Sequence, residues 1–358
     1  MNFELSDDQR MLKDSVERLV RDKYQFEQRL GYTSAPRGWS DEIWQDFVEL
    51  GLTMLPFPED QGGLGLGGVE MMIVGQAFGS GLVIEPYLPS VVLGGTAISF
   101  GAGAQAESLL SPIMTGETIA ALADEATVTR NGDRLSGTAK LVPGGDSARL
   151  FVIADGEGGW LVPADSAGLE IRKYRLHGGG GAADLVLQDV SVAHATRLAD
   201  GSITRAQEAG IAFLAAEAAG IMQAALDGTV EYLKTREQFG KPIGSNQALQ
   251  HKAAEMLVEV EQAHSAAIYA ALLSGETSPQ ERARGMAAVK AVIGKTGRFV
   301  GQNAVQLHGG IGVSEEHIVS HYFRRLTAIS MILGDTGTQL KRLARLGGFT
   351  GPEDHLAA

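Results

Sequence analysis

The chain has 358 residues, is 44% hydrophobic and 20% charged, carries a formal charge of −13 and contains no cysteine. That length and apolar share suit a globular protein of one large or two to three modest domains with buried cores. The lack of cysteine excludes disulfides, thiolate metal sites and a cysteine nucleophile, and the acidic balance argues against a nucleic-acid binder, which needs a basic face.

The start, Met1 to Asp8, is acidic and lacks the basic flank and apolar stretch of a secretory signal. No run of about 18 apolar residues stands out as a membrane span. A cytoplasmic protein with neither membrane nor nucleic acid as partner is expected. Ser6-Asp7-Asp8-Gln9 has the pattern of a capping box, and Leu12, Val16, Leu19 and Val20 follow at helical spacing. Ser40 before Asp41 and Glu42 opens a second helix, with Ile43, Phe47 and Val48 on one face and Gly51 after it. A third apolar run begins near Val69 and stops at Gly79-Ser80-Gly81. Residues 1–116 are therefore expected to form an N-terminal helical domain.

From 117 to 199 the period shortens. Phe151-Val152-Ile153, Trp160-Leu161-Val162 and Leu185-Val186-Leu187 read as strands, separated by the turn signals Asn131-Gly132-Asp133, Asp155 to Gly159 and Gly178 to Gly181. This zone is expected to be a middle β-domain. From 200 to 358 the chain returns to Ala- and Leu-rich helices, with one stripe through Leu249, Ala253, Met256, Leu257, Val260, Ala263 and Ala267. Breaks near 240–245, 274–279 and 309–314 divide it into four helices, as in a C-terminal four-helix bundle. The expected fold class is α+β, mostly helical.

Gly63, Gly65 and Gly68 satisfy a dinucleotide-type G-x-G-x-x-G, but the motif lies among helices rather than after a strand, so an interhelix loop is expected. His317 and His321 have metal-ligand spacing on a helix, yet no third ligand is positioned and no metal is expected. No Gly-x-Ser-x-Gly elbow anchors a hydrolase triad. Two segments carry more: Thr235-Arg236-Glu237-Gln238-Phe239-Gly240-Lys241-Pro242, and Gln306-Leu307-His308-Gly309-Gly310-Ile311-Gly312. Each sets a helix end beside a glycine corner with a polar donor. That combination fits a phosphate-bearing cofactor or ordinary helix caps.

Arg236-x-Gln238-Phe239-Gly240 ahead of a Gln-rich helix, then Gln306-x-His308-Gly309-Gly310-Ile311-Gly312, resembles the C-terminal bundle of the acyl-CoA dehydrogenase family. Leu5 to Arg10, the Gly62–Gly68 loop, Glu85-Pro86-Tyr87-Leu88, His321 to Leu326 and the closing Leu333-Gly334-Asp335-Thr336 extend the likeness over nearly the whole chain. The resemblance implies FAD clamped between subunits of a homo- or hetero-oligomer. Arg236, Gln238 and Phe239 would meet the pyrophosphate and adenosine end of a neighbouring subunit's flavin; Gln306, Gly309 and Gly310 would add contacts to that half, and Thr336 would approach from the closing loop. It implies α,β-desaturation of an acyl-CoA, a carboxylate taking the α-proton, with an electron-transfer flavoprotein as acceptor.

The sequence departs from the family's pattern at three places. The closing-loop Glu is replaced by Gly334, leaving Asp335 one residue late as the weak catalytic candidate. The alternative position at the start of the bundle holds Gly210, and Glu208 and Glu217 nearby are expected to be solvent-facing or capping. In the β-zone the Thr-Glu-Pro loop is shortened to Ala123-Asp124-Glu125, and the ring-bordering element reads Lys140-Leu141-Val142. Three readings stay open: a small subunit lending flavin contacts to a partner, a self-sufficient homomeric enzyme, and a flavin-free scaffold.

Overall fold

The computed structural model describes residues 4–156 and 158–348; residues 1–3 and 349–358 at the ends of the expected outer domains, and Glu157 of one expected turn, lie outside them. In chain order the first helices are α1 (Asp7–Lys23), α2 (Phe26–Ser34), α3 (Asp41–Glu49), α4 (Gly68–Gly81), α5 (Thr96–Gly101) and α6 (Ala106–Met114). A buried π-helical stretch, Leu88–Gly95, runs directly into α5. The strands are β1 (Ala120–Ala123), β2 (Thr127–Asn131), β3 (Arg134–Pro143), β4 (Leu150–Ala154), β5 (Gly159–Pro163), β6 (Leu169–Arg175), β7 (Gly181–Ser191) and β8 (Arg197–Leu198). Then come α7 (Ser202–Thr235), a hairpin of β9 (Glu237–Gln238) and β10 (Lys241–Pro242), α8 (Gln247–Leu273), α9 (Pro279–His308), α10 (Ile318–Met331) and α11 (Thr336–Arg345). Helices, strands and helices follow one another as the composition predicted. The four helices expected in the last zone are α7 to α10, and α11 is a fifth where a loop was expected.

Two compact units form. One takes residues 4–29, 67–83 and 211–348, the other 30–66 and 84–210. In the first, α1 starts at a complete capping box: Gln9 N–H donates to Ser6 Oγ at 3.2 Å, and Ser6 N–H to Gln9 Oε1 at 2.9 Å. Helix α4 packs on α1 and α8, and α9 packs on α8, α10 and α11. Helix α4 crosses α7 closely, because a β-carbon at Gly79 would sit 2.0 Å from the Glu217 carbonyl oxygen. Only glycine permits that approach. An 18-residue window of α7 is apolar enough to cross a membrane by length and composition, a segment the sequence reading passed over. It is 78% buried inside the protein, as a core helix is.

In the second unit, β1-β4-β5-β8 form one sheet, with β1 parallel to β4, and β2-β3-β7-β6 form an antiparallel second sheet. Their facing residues alternate along each strand. Phe151 and Ile153 of β4, Trp160 and Val162 of β5, Leu135, Ala139 and Val142 of β3, and Ala183, Leu185 and Leu187 of β7 make one buried cluster. Asn131-Gly132-Asp133 turns β2 into β3, as its sequence predicted.

Candidate functional site

The hairpin after α7 is held by main-chain bonds, and the Gln238 amide also donates to the Glu237 carbonyl at 2.8 Å. Arg236 N–H donates to Tyr232 O at 2.8 Å, and Ile243 N–H donates to Arg236 O at 2.8 Å. Lys241 pairs with Gln238 across a two-residue turn in which Phe239 (φ 55°) and Gly240 (φ 77°) are both left-handed. For a non-glycine residue that conformation costs roughly 1–2 kcal/mol. The Phe239 side chain is fully exposed, and Arg236 and Gln238 are exposed beside it. Arg236 makes no ion pair among the described residues. The hairpin thus presents a cation, an amide and an aromatic ring outward.

Helix α9 ends at Gly309, whose φ is 64°. Gln306, Gly309 and Gly310 are exposed there. Between them His308 is buried: its Nδ1–H donates to Ala304 O at 2.8 Å, its ring stacks on Tyr232 at 4.5 Å, and His317 lies 4.9 Å away. Burial holds the His308 imidazole below its ordinary pKa, with the adjacent His317 adding to the effect. Because Tyr232 stands one turn before Arg236, this stack ties the root of the hairpin to the Gly309–Gly310 corner. The structure therefore brings two of the sequence-predicted groups together, through a Tyr–His contact the sequence did not announce. His317 caps α10, and His321 meets Arg29 at 3.2 Å through Nδ1 and the Glu315 carbonyl at 3.0 Å through Nε2, so both histidines hold helix α10 in place.

Asp335 and Thr336 stand elsewhere. Asp335 is the exposed N-cap of α11 and accepts the Thr338 N–H at 2.7 Å. The hydrogen bonds from Thr338 hold its carboxyl below the ordinary range, the opposite of what a base for a weak carbon acid needs. Thr336 opens α11 and lies against α9, where a β-carbon on Gly294 would sit 2.3 Å from its Oγ1. Gly294 is 15 residues from Gly309, roughly 20 Å along the helix. The loop between α10 and α11 is tightly bound. Leu333 and Gly334 are both left-handed (φ 57° and 89°), and Gln339 Nε2 donates to Leu333 O at 2.6 Å. The buried Lys290 ammonium donates to Ile329 O, Ser330 O and Gly334 O at 2.9, 3.2 and 3.0 Å. Burial lowers its pKa to about 8, against an opposing pull from Asp335.

Neither α7 carboxylate is solvent-facing or capping, contrary to expectation. Glu217 is buried and accepts from Arg325 Nε at 2.6 Å and Nη2 at 2.8 Å. Glu208, in the other unit, is buried and pairs with Arg205 at 3.3 Å. An Ala-rich helix that is apolar nearly all round carries no polar face from which to read their orientation. Asp124, just after β1, was also unforeseen as a half-buried acid. Burial raises its pKa, while the Gln207 amide 3.3 Å away opposes the rise.

On β3 the pairing with β7 shifts between Ala139 and Val142. Leu141 is left-handed (φ 52°) and exposed, with its N–H donating to Asp184 Oδ1 at 2.9 Å. Tyr174 OH donates to the same oxygen at 2.8 Å, and burial together with Asp184 pushes the phenol up to about 12. Val142 turns into the sheet core at 2% exposure. This bulge presents an exposed Lys140 and Leu141 and no hydroxyl.

The family model for the acyl-CoA dehydrogenase N-terminal domain matches residues 6–117, and that for the C-terminal domain matches residues 208–347. The acyl-CoA dehydrogenase FadE27 of Mycobacterium tuberculosis is 30% identical over 85% of this chain and 87% of its own length. This chain belongs to the acyl-CoA dehydrogenase family. A probable acyl-CoA dehydrogenase of Bacillus subtilis, YngJ, is 29% identical over 96% of this chain and 98% of its own. Among solved structures, the ChsE4–ChsE5 complex from Mycobacterium tuberculosis matches with a TM-score of 0.88 and 26% identity, covering 96% of this chain and 98% of that one. Acyl-CoA dehydrogenases are FAD-dependent oxidoreductases acting on CH–CH bonds. Against that cofactor, the two parts of this acyl-CoA dehydrogenase differ. The exposed Arg236, Phe239 and Gln306 fit a phosphate-bearing nucleotide end, whereas the Lys140–Val142 bulge offers no side-chain hydroxyl that would fit a flavin ring.

Proposed function

We propose that this chain is the contributing subunit of a heteromeric acyl-CoA dehydrogenase, lending its hairpin and Gly309–Gly310 corner to a flavin whose ring pocket and base come from a related companion chain. One observation carries the reading: the position of the family's base is Gly334, inside a loop closed by Lys290 and Gln339, and its neighbour Asp335 is engaged as a helix cap. FAD, when bound, would supply a hydride acceptor for the β-hydrogen of an acyl-CoA thioester. Toward it, Arg236 supplies a mobile cation for the pyrophosphate, Phe239 a face for stacking, and Gln306 with the glycine corner further polar contacts. The α-proton passes to a carboxylate of the companion. Likeness to a solved two-protein complex, ChsE4–ChsE5, supports a heteromer.

Sequence stretches such as His321 to Leu326 resemble the small subunit of pimeloyl-CoA dehydrogenase, which favours a dicarboxylic or bulky acyl-CoA as substrate. An electron-transfer flavoprotein would be the acceptor, in the cytoplasm. Flavin content tests the reading, measured on the chain purified alone and again with a co-expressed companion dehydrogenase chain. Flavin and acyl-CoA-dependent bleaching only with the companion are expected. Stoichiometric flavin bleached in the lone chain would establish a complete homomeric enzyme instead, and no flavin in either preparation would leave a scaffold.

A further inference from the structure

We propose that the unit of residues 30–66 and 84–210 carries a separate binding site for a ligand bearing adjacent phosphate groups. A cavity of about 560 Å³ opens between the loop after α2, the β3–β4 turn and the end of β6. That volume lies in the range of small-molecule sites. Its wall carries Arg37, Arg149, Lys173 and Arg175, of which Arg37 pairs with Asp41 and Arg175 with Asp146. In a chain of net charge −13, the two cations left over, Arg149 and Lys173, give the concavity a local excess of positive charge, which concentrates anions there.

The two sides of the wall are built differently. Arg175 donates to the carbonyls of Pro36 and Arg37 and pairs with Asp146 at 3.6 Å, so it fixes the loop to β6. Trp39 Nε1–H donates to Ser147 Oγ at 3.2 Å, and Arg37 lies over the Trp39 ring at 4.5 Å, which anchors the turn from the same side. Arg149 and Lys173, by contrast, make no ion pair among the described residues and are exposed at the rim. Uncommitted cations on a braced concave wall suit phosphate oxygens, with Arg149 able to bind two at once. None of these residues belongs to the hairpin, the glycine corner or the bulge described above.

Isothermal titration of the full chain with ADP, inorganic diphosphate and CoA tests the assignment and separates the possible sources. Binding of at least one probe tighter than about 1 mM at low salt is expected, weakening as salt screens the cations. Each charged contact is worth about tenfold or more in affinity, so Arg149→Ala with Lys173→Ala should weaken binding by about a hundredfold. Both residues are exposed, so the double variant is expected to keep the parent's circular dichroism and melting temperature. Lys295→Ala, at an exposed cation of α9, should leave the affinity unchanged. No binding by any probe, binding untouched by the double variant, or binding weakened as much by Lys295→Ala as by the double variant would each overturn the proposal.

Discussion

The pair Glu217–Arg325 joins α7 to α10 with two short bonds, the Glu217 carboxylate buried and the Arg325 side chain 22% exposed, which makes the consequence of breaking it calculable. Replacing Glu217 by Leu strands a guanidinium, and replacing Arg325 by Met strands a carboxylate. Removing one partner of a fully buried pair costs about 3–5 kcal/mol, because the survivor keeps its desolvation penalty without its counter-charge; the stranded Glu217 carboxylate approaches that range, whereas the partly exposed Arg325 guanidinium, which can reach water, falls below it. Replacing both with apolar residues of similar size removes the penalty with the attraction and should cost far less than the sum of the singles. The Arg325→Met cost should also shrink as pH falls, since a stranded carboxyl can take up a proton. Urea unfolding read by far-UV circular dichroism suits the measurement, because all three tryptophans, Trp39, Trp44 and Trp160, lie in the other unit. A double-mutant cycle with a coupling of several kcal/mol is expected. Single variants within about 1 kcal/mol of the parent, or strictly additive costs, would show that the pair is not a buried unit.

Phe239→Gly should leave the chain as stable or up to about 1 kcal/mol more stable, by relieving a left-handed backbone. In the same variant, flavin retained by the assembled complex should fall at least about tenfold, as absorbance after gel filtration would report; full retention would deny Phe239 a binding role. Burial depresses the pKa of His308, His317 and His321 from 6.5, so below that pH the unfolded chain binds more protons than the native one. The contribution of these histidines should therefore be level above pH 6.5 and fall as pH drops through the depressed native values, and His308→Asn should flatten the decline seen in urea titrations at stepped pH. Gly334→Glu should not create activity in the lone chain, and should cost about 1–2 kcal/mol for a side chain at φ 89°. Acyl-CoA bleaching by that single variant without a companion would contradict the first expectation, and urea unfolding unchanged from the parent would contradict the second.

The helices and strands were legible where one local rule decided them. Ser6 and Gln9 form the capping box they spell, Ser40 caps α3, and the alternation of Phe151 with Ile153 matches the buried face of β4. Helix α11 was not legible, because Asp335-Thr336-Gly337-Thr338 reads as a turn unless Asp335 is recognised as a cap. The orientation of Glu217 was hidden for a different reason: its partner lies 108 residues away, and no local periodicity encodes a pairing at that distance. Lys290 had a weaker signal available, as a lone cation in the apolar run Ala287 to Ile293. In the site, the Phe239-Gly240 pair is a recognisable hairpin turn, which exposes whatever it carries. The Tyr232–His308 stack that joins this turn to Gly309 required the packing of α7 against α9 and lay beyond any motif.

The two parts of the site differ in more than missing side chains. At Gly334 the loop is closed by Lys290 and Gln339, each meeting carbonyls that would otherwise be buried without donors. At Leu141 and Val142 the bulge is closed by Asp184 and Tyr174, and Val142 fills a gap in the sheet core. Both regions are braced within the chain, although the buried Gln339 Oε1 has no hydrogen-bond partner among the described residues and the bulge leaves Lys140 and Leu141 exposed. The hairpin is the reverse case. Phe239 carries a left-handed backbone and exposes its whole ring, with no ring contact to recover either cost among the described residues. Strain of that kind persists when something outside the local structure benefits from it. The contrast between a braced Gly334 loop and an outward-facing Phe239 supports the proposal that this chain contributes to a ligand held partly by another molecule.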